Sequence, residues 1–149
     1  MSVRLSYVVG RLDRVLRRRL GEALAPHGLT VADYTALSVL RSRSGLSNAQ
    51  LARRTLITPQ SMNEVLGRLV ERGYVDSSQD PDHGRIIRAE LTERGARVLE
   101  DCDRAVDEIE GAMLQGVPAG ERARLRDALA GCVERLGGGL ADPDEYQVT

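Results

Sequence analysis

The sequence predicts a mainly α-helical fold with one small β-hairpin. Three observations carry that expectation. Apolar residues recur at spacings of three and four over most of the 149 positions. Helix-start signals precede several of those stretches. One pair of short β-prone runs flanks a turn-rich segment near the middle of the chain. The composition, 42% apolar and 29% charged, is that of a globular protein. Phe and Trp are absent, so Leu, Val, Ile, Ala and Met have to build the core.

Leu5, Val8, Val9, Leu12, Leu16, Leu20 and Leu24 fall on one side of a first long helix, with Arg11, Arg14, Arg18 and Glu22 opposite. Pro26 and Gly28 end it. Thr30 caps a short helix reaching about Arg41, with Asp33 three residues on and Ala36, Leu37 and Leu40 inward. Ser44-Gly45 breaks that helix. Ser47 and Gln50 form a capping box for a two-turn helix, which turns Leu51 and Ala52 inward and Arg53 and Arg54 outward. Thr55-Leu56-Ile57 is the turn that follows. Thr58 then serves as N-cap and Pro59 as first residue of the next helix, where a missing N–H costs nothing. Met62, Val65, Leu66 and Leu69 form its apolar stripe, and Gly73 stands where a C-terminal cap belongs.

The segments 74–77 and 86–91 read as strands around a tip containing Asp80, Pro81, Asp82, His83, Gly84 and Arg85. Thr92 caps a second long helix. Gly95, Leu99, Cys102, Val106, Ile109 and Met113 give that helix an a/d-like seam suited to another helix. After Gly116 and Pro118, a last helix is expected to bury Leu125, Leu129, Cys132, Val133, Leu136 and Leu140. A flexible tail is expected over 141–149.

Two short helices, a tight turn and a hairpin make a winged helix-turn-helix over residues 30–91. The flanking segments 1–29 and 92–140 form a helical dimerisation region. Their two long apolar stripes are more than a small winged unit can cover, which points to a homodimer.

The net charge of −1 hides a gradient. Residues 1–60 hold ten Arg against three acidic residues, whereas residues 101–149 hold five Arg against eleven. Such a split marks either a polyanion-binding face or uneven surface charge. No apolar run is long enough for a membrane span. The Arg-studded start lacks the apolar core of a signal peptide. Cys102 and Cys132 form neither a disulfide framework nor a metal pattern. The expected location is therefore cytoplasmic, with no metal and no cofactor. His27 and His83, the only histidines, have no readable catalytic partner, so no enzyme is expected.

The second helix of a helix-turn-helix enters the major groove with its N-terminal residues at base edges. With the apolar stripe inward, Gln60, Ser61, Asn63 and Glu64 face outward. Gln and Asn can bond adenine bidentately. Thr58, Pro59 and the helix start suit a phosphate, and Arg53, Arg54 and Arg68 are further phosphate candidates. The alternative for Gln60 and Asn63 is ordinary solvated helix surface. At the hairpin tip, Arg85 either reaches an adjacent minor groove or pairs with Asp80 or Asp82.

These segments together resemble the MarR family of bacterial transcription regulators, over about residues 5–137. The resemblance is carried by Gly28-Leu29-Thr30, Leu51-Ala52-Arg53-Arg54, Leu69-Val70-Glu71-Arg72-Gly73-Tyr74-Val75, the tip from Asp80 to Arg85, and Leu91-Thr92-Glu93-Arg94-Gly95. It implies an obligate homodimer on a pseudo-palindromic double-stranded DNA operator, released by a small aromatic acid, a phenol or an oxidant. Arg85 matches the family's wing arginine. His83, also a DNA-contact candidate, stands where an acid is usual, which leaves the wing's acid–arginine brace absent or moved to Asp82 or Asp80. Glu64 replaces a basic or neutral residue and either repels phosphate or reads a cytosine amine.

The resemblance places an effector pocket between the dimerisation helices and the winged unit. Tyr7, Arg11, His27 and Tyr34 are the candidates to line it, with Arg11 as carboxylate partner. The alternative makes Tyr34 core and Arg11 surface. Both cysteines fall on expected apolar stripes, which favours inert packing over oxidant sensing. A rival reading keeps the fold as a small-molecule or protein-partner module without specific DNA binding.

Overall fold

A computed structural model describes residues 2–138. Leu140 and the tail 141–149 lie outside the described residues. The chain runs α1 (Leu5–Leu24), a 3-10 turn (Ala25–His27), α2 (Val31–Ser42), β1 (Leu46–Ser47), α3 (Asn48–Thr55), α4 (Pro59–Glu71), β2 (Val75–Gln79), β3 (Ile87–Leu91), α5 (Glu93–Met113) and α6 (Ala119–Arg135). Among the described residues, no helix is long and apolar enough to cross a membrane.

The local start signals act as the residue types dictate. Thr30 and Asp33 close a full capping box on α2, and Ser47 and Gln50 do the same on α3. Thr58 caps α4 by accepting from the Ser61 N–H, and Thr92 caps α5 by accepting from the Gly95 N–H. Gly73 takes the left-handed conformation after α4, with φ +77°, which lets the chain reverse into β2.

The sheet has three antiparallel strands in the order β1-β3-β2. Register pairs Val75 with Leu91 and Gln79 with Ile87, so β2 runs two residues past its expected end. β1 carries no sequence signal of its own. It exists because Leu46 and Ser47 pair with Ala89 and Arg88. Its side chain Leu46 then enters the core.

One apolar cluster joins the winged unit to the long helices. Leu37, Leu40, Leu51, Met62, Leu69 and Val75 meet Leu24 from α1 and Leu99, Cys102 and Val106 from α5. The first half of the α5 seam is thus filled within its own chain, because α2 lies against it. The other half is not: Met113 remains exposed and Ile109 is half-buried. The expected burial along α6 is not found within the chain. Leu125, Leu129, Cys132, Val133 and Leu136 are all exposed, and α6 has no buried residue. Among the described residues, its stripe has no apolar surface to cover it. Leu5, Val8, Val9 and Leu12 of α1 are exposed for the same reason.

The wing is braced at its base. Asp80 Oδ1 accepts from the backbone N–H groups of Asp82 and His83, at 2.8 and 3.3 Å. Its Oδ2 accepts from Arg88 Nε at 2.6 Å, and Arg88 Nη1 donates to the Gly45 carbonyl at 2.9 Å. The brace therefore ties the tip turn to β3 and to the residue before β1. The Asp82 N–H and the Arg88 guanidinium hold the Asp80 carboxyl below its usual range, against the opposing effect of burial.

Two outcomes are expected. A Cβ on Gly95 would run into the backbone carbonyl oxygen of Tyr74 and lie 2.8 Å from Leu91 Cδ1, and the carbonyl, which also accepts from the Thr92 N–H, cannot yield as a side chain can. Gly95→Ala should cost about 1–3 kcal/mol in urea unfolding. An unchanged midpoint would show that the α5–hairpin junction yields more than the packing suggests. Asp80→Asn should lower stability at neutral pH. Because the folded-state pKa is depressed, that contribution is present above about pH 3.9 and is lost as pH falls through the lower folded value. The gap between Asp80→Asn and the unsubstituted chain should close on acidification. A gap that does not narrow at all on acidification would remove the charge from the explanation.

Candidate nucleic-acid interface

The helix-turn-helix is α3, the two-residue link Leu56-Ile57, and α4 with its Thr58 cap. Leu56 sits in the left-handed region at φ +56°, the one non-glycine among the described residues to do so. That residue reverses the chain sharply, while the Ile57 N–H reaches back to the Ala52 carbonyl at 3.1 Å. Asn48 Nδ2 donates to the Pro59 carbonyl at 3.2 Å, which fastens the start of α3 to the start of α4. Sequence periodicity contains no sign of that contact.

On α4, Met62, Val65 and Leu69 are buried and Leu66 is half-buried. Thr58, Pro59, Gln60, Ser61, Asn63 and Glu64 are exposed along the N-terminal part of the opposite face. The Thr58 hydroxyl accepts from the Ser61 N–H and donates to Ser61 Oγ at 3.0 Å. Both hydroxyls are thus oriented by the cap yet still face solvent. An apolar-floored cleft of about 260 Å³ separates α4 from the hairpin, with Asn63, Gly67 and Val70 on one wall and Ser77 and Ile87 on the other.

The basic candidates divide. Arg53 and Arg85 are exposed. Arg85 has no ion-pair partner among the described residues, because Arg88 rather than Arg85 takes Asp80. The brace left open by His83 therefore closes through Asp80, at the base of the tip, and His83 stays exposed. Arg54 does not point outward as expected. It is half-buried, and burial, then Arg43 and Arg53, lower the proton affinity of its guanidinium. Arg68 is exposed as well, but it is also engaged within the fold. Its Nη2 donates at 3.0 Å to Oδ1 of Asp33, a carboxylate only 3% exposed. The other oxygen of Asp33 accepts from the Thr30 N–H at 3.0 Å. A residue chosen as a helix cap thus also anchors the middle of α4. Arg72, at the end of α4, donates to the Gly28 carbonyl and lies over the Tyr74 ring.

Among the four effector candidates, Tyr7 and Arg11 pair with each other, whereas Tyr34 engages α5. Arg11 Nη1 donates to Tyr7 Oη at 3.2 Å, and both residues are exposed on α1. His27 is half-buried in the 3-10 turn. Tyr34 Oη donates to Asp103 Oδ1 at 2.6 Å. Burial first, and then the Asp103 carboxylate, push the Tyr34 phenol well up, so it stays a donor. None of the four lines the cleft of about 210 Å³ between α1 and α5, whose walls include Leu12, Leu16, Ile109 and Met113. Cys102 is buried, and its thiol is pushed up to about 11 by desolvation and the flanking Asp101 and Asp103. That combination suits inert packing. Cys132, expected in the same kind of environment, is exposed instead.

Comparisons with known proteins agree with this geometry. The MarR family model matches residues 27–86. The HTH-type transcriptional repressor Rv2887 of Mycobacterium tuberculosis is 34% identical over 133 residues, covering 89% of this chain and 93% of that protein. A structure of Rv2887 in complex with DNA superposes with a TM-score of 0.72 at 32% identity, covering 91% of this chain and 99% of that one. Rv2887 has also been solved in complex with salicylic acid, with a TM-score of 0.69 at 33% identity, over 91% of this chain and 98% of that one. CouR of Rhodococcus jostii RHA1, bound to p-coumaroyl-CoA, superposes with a TM-score of 0.77 at 26% identity over 86% of this chain and 90% of that one. A shared winged fold could arise among distant proteins, but identity at this level across nearly the whole of a repressor could not be confined to the fold: the chain belongs to the MarR family of transcriptional regulators.

Proposed function

We propose that a homodimer of this chain represses transcription by binding a pseudo-palindromic operator in the cytoplasm, and that a small aromatic acid or phenol releases it. The observation that carries the DNA reading is the exposed polar edge of α4 backed by three buried apolar side chains. Gln60 and Asn63 read base edges in the major groove, with Ser61 beside them. Thr58 and Pro59 set the helix start against a phosphate. Arg53 takes a second phosphate, and Arg85 enters the neighbouring minor groove with His83 at its side. Arg54, half-buried, and Arg68, exposed but anchored on Asp33, support these contacts from the sides of the interface.

The helical segments 1–29 and 92–140 join the two copies, leaving 30–91 to meet DNA. Support comes from the uncovered apolar faces of α1 and α6. Two half-sites about 34–36 Å apart then match the two-fold axis of the protein. The effector class is supported by the salicylic acid bound to Rv2887 and the p-coumaroyl-CoA bound to CouR. Tyr7, Arg11, His27 and Tyr34 remain the proposed effector-facing side chains, with Arg11 offering a carboxylate fork.

A gel-shift titration over the DNA upstream of the chain's own gene tests the reading. A dimer should prefer that duplex to random DNA. Its affinity should fall with salt at a log–log slope of about −0.9 per phosphate contact. Equal affinity for random duplexes would sink the proposal. Two substitutions should separate the contact types. Asn63→Ala should relax preference at one base pair by about 1–3 kcal/mol. Arg85→Ala should weaken binding and change preference only at positions flanking the major-groove contacts. If instead both variants bind like the unsubstituted protein, the polar edge of α4 and the wing tip are ordinary surface.

A further inference from the structure

We infer that Asp103 is a positioning residue for DNA binding: it latches the DNA-binding unit to α5 and thereby sets the separation of the two recognition helices in a dimer. The inference rests on the proposed reading that a dimer spans two half-sites.

Asp103 lies in the middle of α5, and both of its oxygens are taken by α2. Tyr34 Oη donates to Oδ1 at 2.6 Å, and Arg41 Nη1 donates to Oδ2 at 2.5 Å. Tyr34 and Arg41 are seven residues apart, two helical turns on one face of α2. Their Cα atoms are therefore separated by roughly 10 Å along the helix. Two side chains that start so far apart and converge on one carboxylate fix α2 in both translation and swing. A hydrophobic contact alone cannot do this, because apolar burial has no preferred direction. Beside the latch, the contacts of Leu99, Cys102 and Val106 with the core are of that undirected kind.

The position of α2 passes on to α4. Asp33, at the N-terminal end of α2, holds Arg68 of α4 from a buried site. α5 thus reaches the recognition helix by two routes: through Asp103 and Asp33 across α2, and at its own start, where the Thr92 hydroxyl and N–H donate to the Gly73 and Tyr74 carbonyls at 2.7 and 3.1 Å. The Arg41 arm of the latch adds little to global stability, since that side chain is 44% exposed and solvent screens such a pair. Its value is geometric. A dimer whose winged units swing freely populates the DNA-ready spacing for only part of the time, and its apparent affinity falls by that fraction.

The test uses the full-length protein and the duplex that it selects from a randomised pool. Companion duplexes carry one or two extra base pairs between the half-sites. One insertion moves a half-site by about 3.4 Å and turns it by about 34–36°. The unsubstituted protein should lose on the order of tenfold in affinity on one insertion. Asp103→Ala and Arg41→Ala should bind the selected duplex about three- to tenfold more weakly. They should lose less than about threefold more on insertion, while remaining dimeric. Tyr34→Phe, which removes one oxygen atom, should move the same way by a smaller amount. If Asp103→Ala keeps the full insertion penalty, Asp103 does not set the spacing. The inference also fails if affinity and unfolding midpoint fall together with the penalty intact, since the residue would then be structural only. If the unsubstituted protein selects no sequence, the operator reading fails first and carries the inference with it.

Discussion

Met62, Val65 and Leu69 occupy the centre of the core, and their burial decides which way α4 faces. Each such side chain stabilises the fold by about 1.5–3 kcal/mol relative to exposure. Turning α4 about its axis would forfeit roughly 5–9 kcal/mol, comparable to the whole stability of a domain of this size. The polar residues of the first turns therefore have no inward option. The direction presented by Gln60, Ser61 and Asn63 is a consequence of packing on the far side of the helix. The left-handed Leu56, the cap at Thr58 and the Asn48 contact to Pro59 then set where that face begins.

The buried acids serve the same end. Asp33 and Asp80 are the charged side chains among the described residues that are nearly sealed from solvent. Each is engaged by an arginine and by backbone N–H, one such group for Asp33 and two for Asp80. A buried carboxylate is tolerable only with such partners, and removing one partner costs far more than the pair contributes. Both acids are placed where an orientation has to be held: Asp33 between α2 and α4, and Asp80 at the base of the wing. Arg68 and Arg88 are committed to these tasks. That leaves Arg53 and Arg85 as the more accessible cations beside the polar edge of α4.

Most of the fold was legible because its signals are local. A capping box spans four residues, an apolar stripe repeats within two turns, and a turn-rich tip flanked by β-prone runs is read without knowing any partner. The recognition helix, the wing and the two long helices came from such signals. The failures share a physical cause. β1 has no propensity of its own and depends on a strand far along the chain. The Tyr34–Asp103 contact joins positions 69 apart. Arg54 was expected outward from its place on a short helix, yet its guanidinium folds back against neighbouring structure. The stripe on α6 is apolar, but periodicity alone does not say whether the covering surface lies in the same chain.

Element order, caps, the polar edge of α4 and the family likeness follow from the amino-acid order, because each depends on residues within a few positions or on an ordered string of motifs. The pairing of charges inside the fold is settled by three-dimensional packing. That packing assigns Asp80 to Arg88, Asp33 to Arg68 and Asp103 to Tyr34 and Arg41. An ion pair requires a few ångströms of proximity and a fit of directions, and among 21 arginines and 22 acids the chain order does not specify which pairs meet those conditions. Folding brings distant positions together, and only then does the electrostatics of the interface take its form.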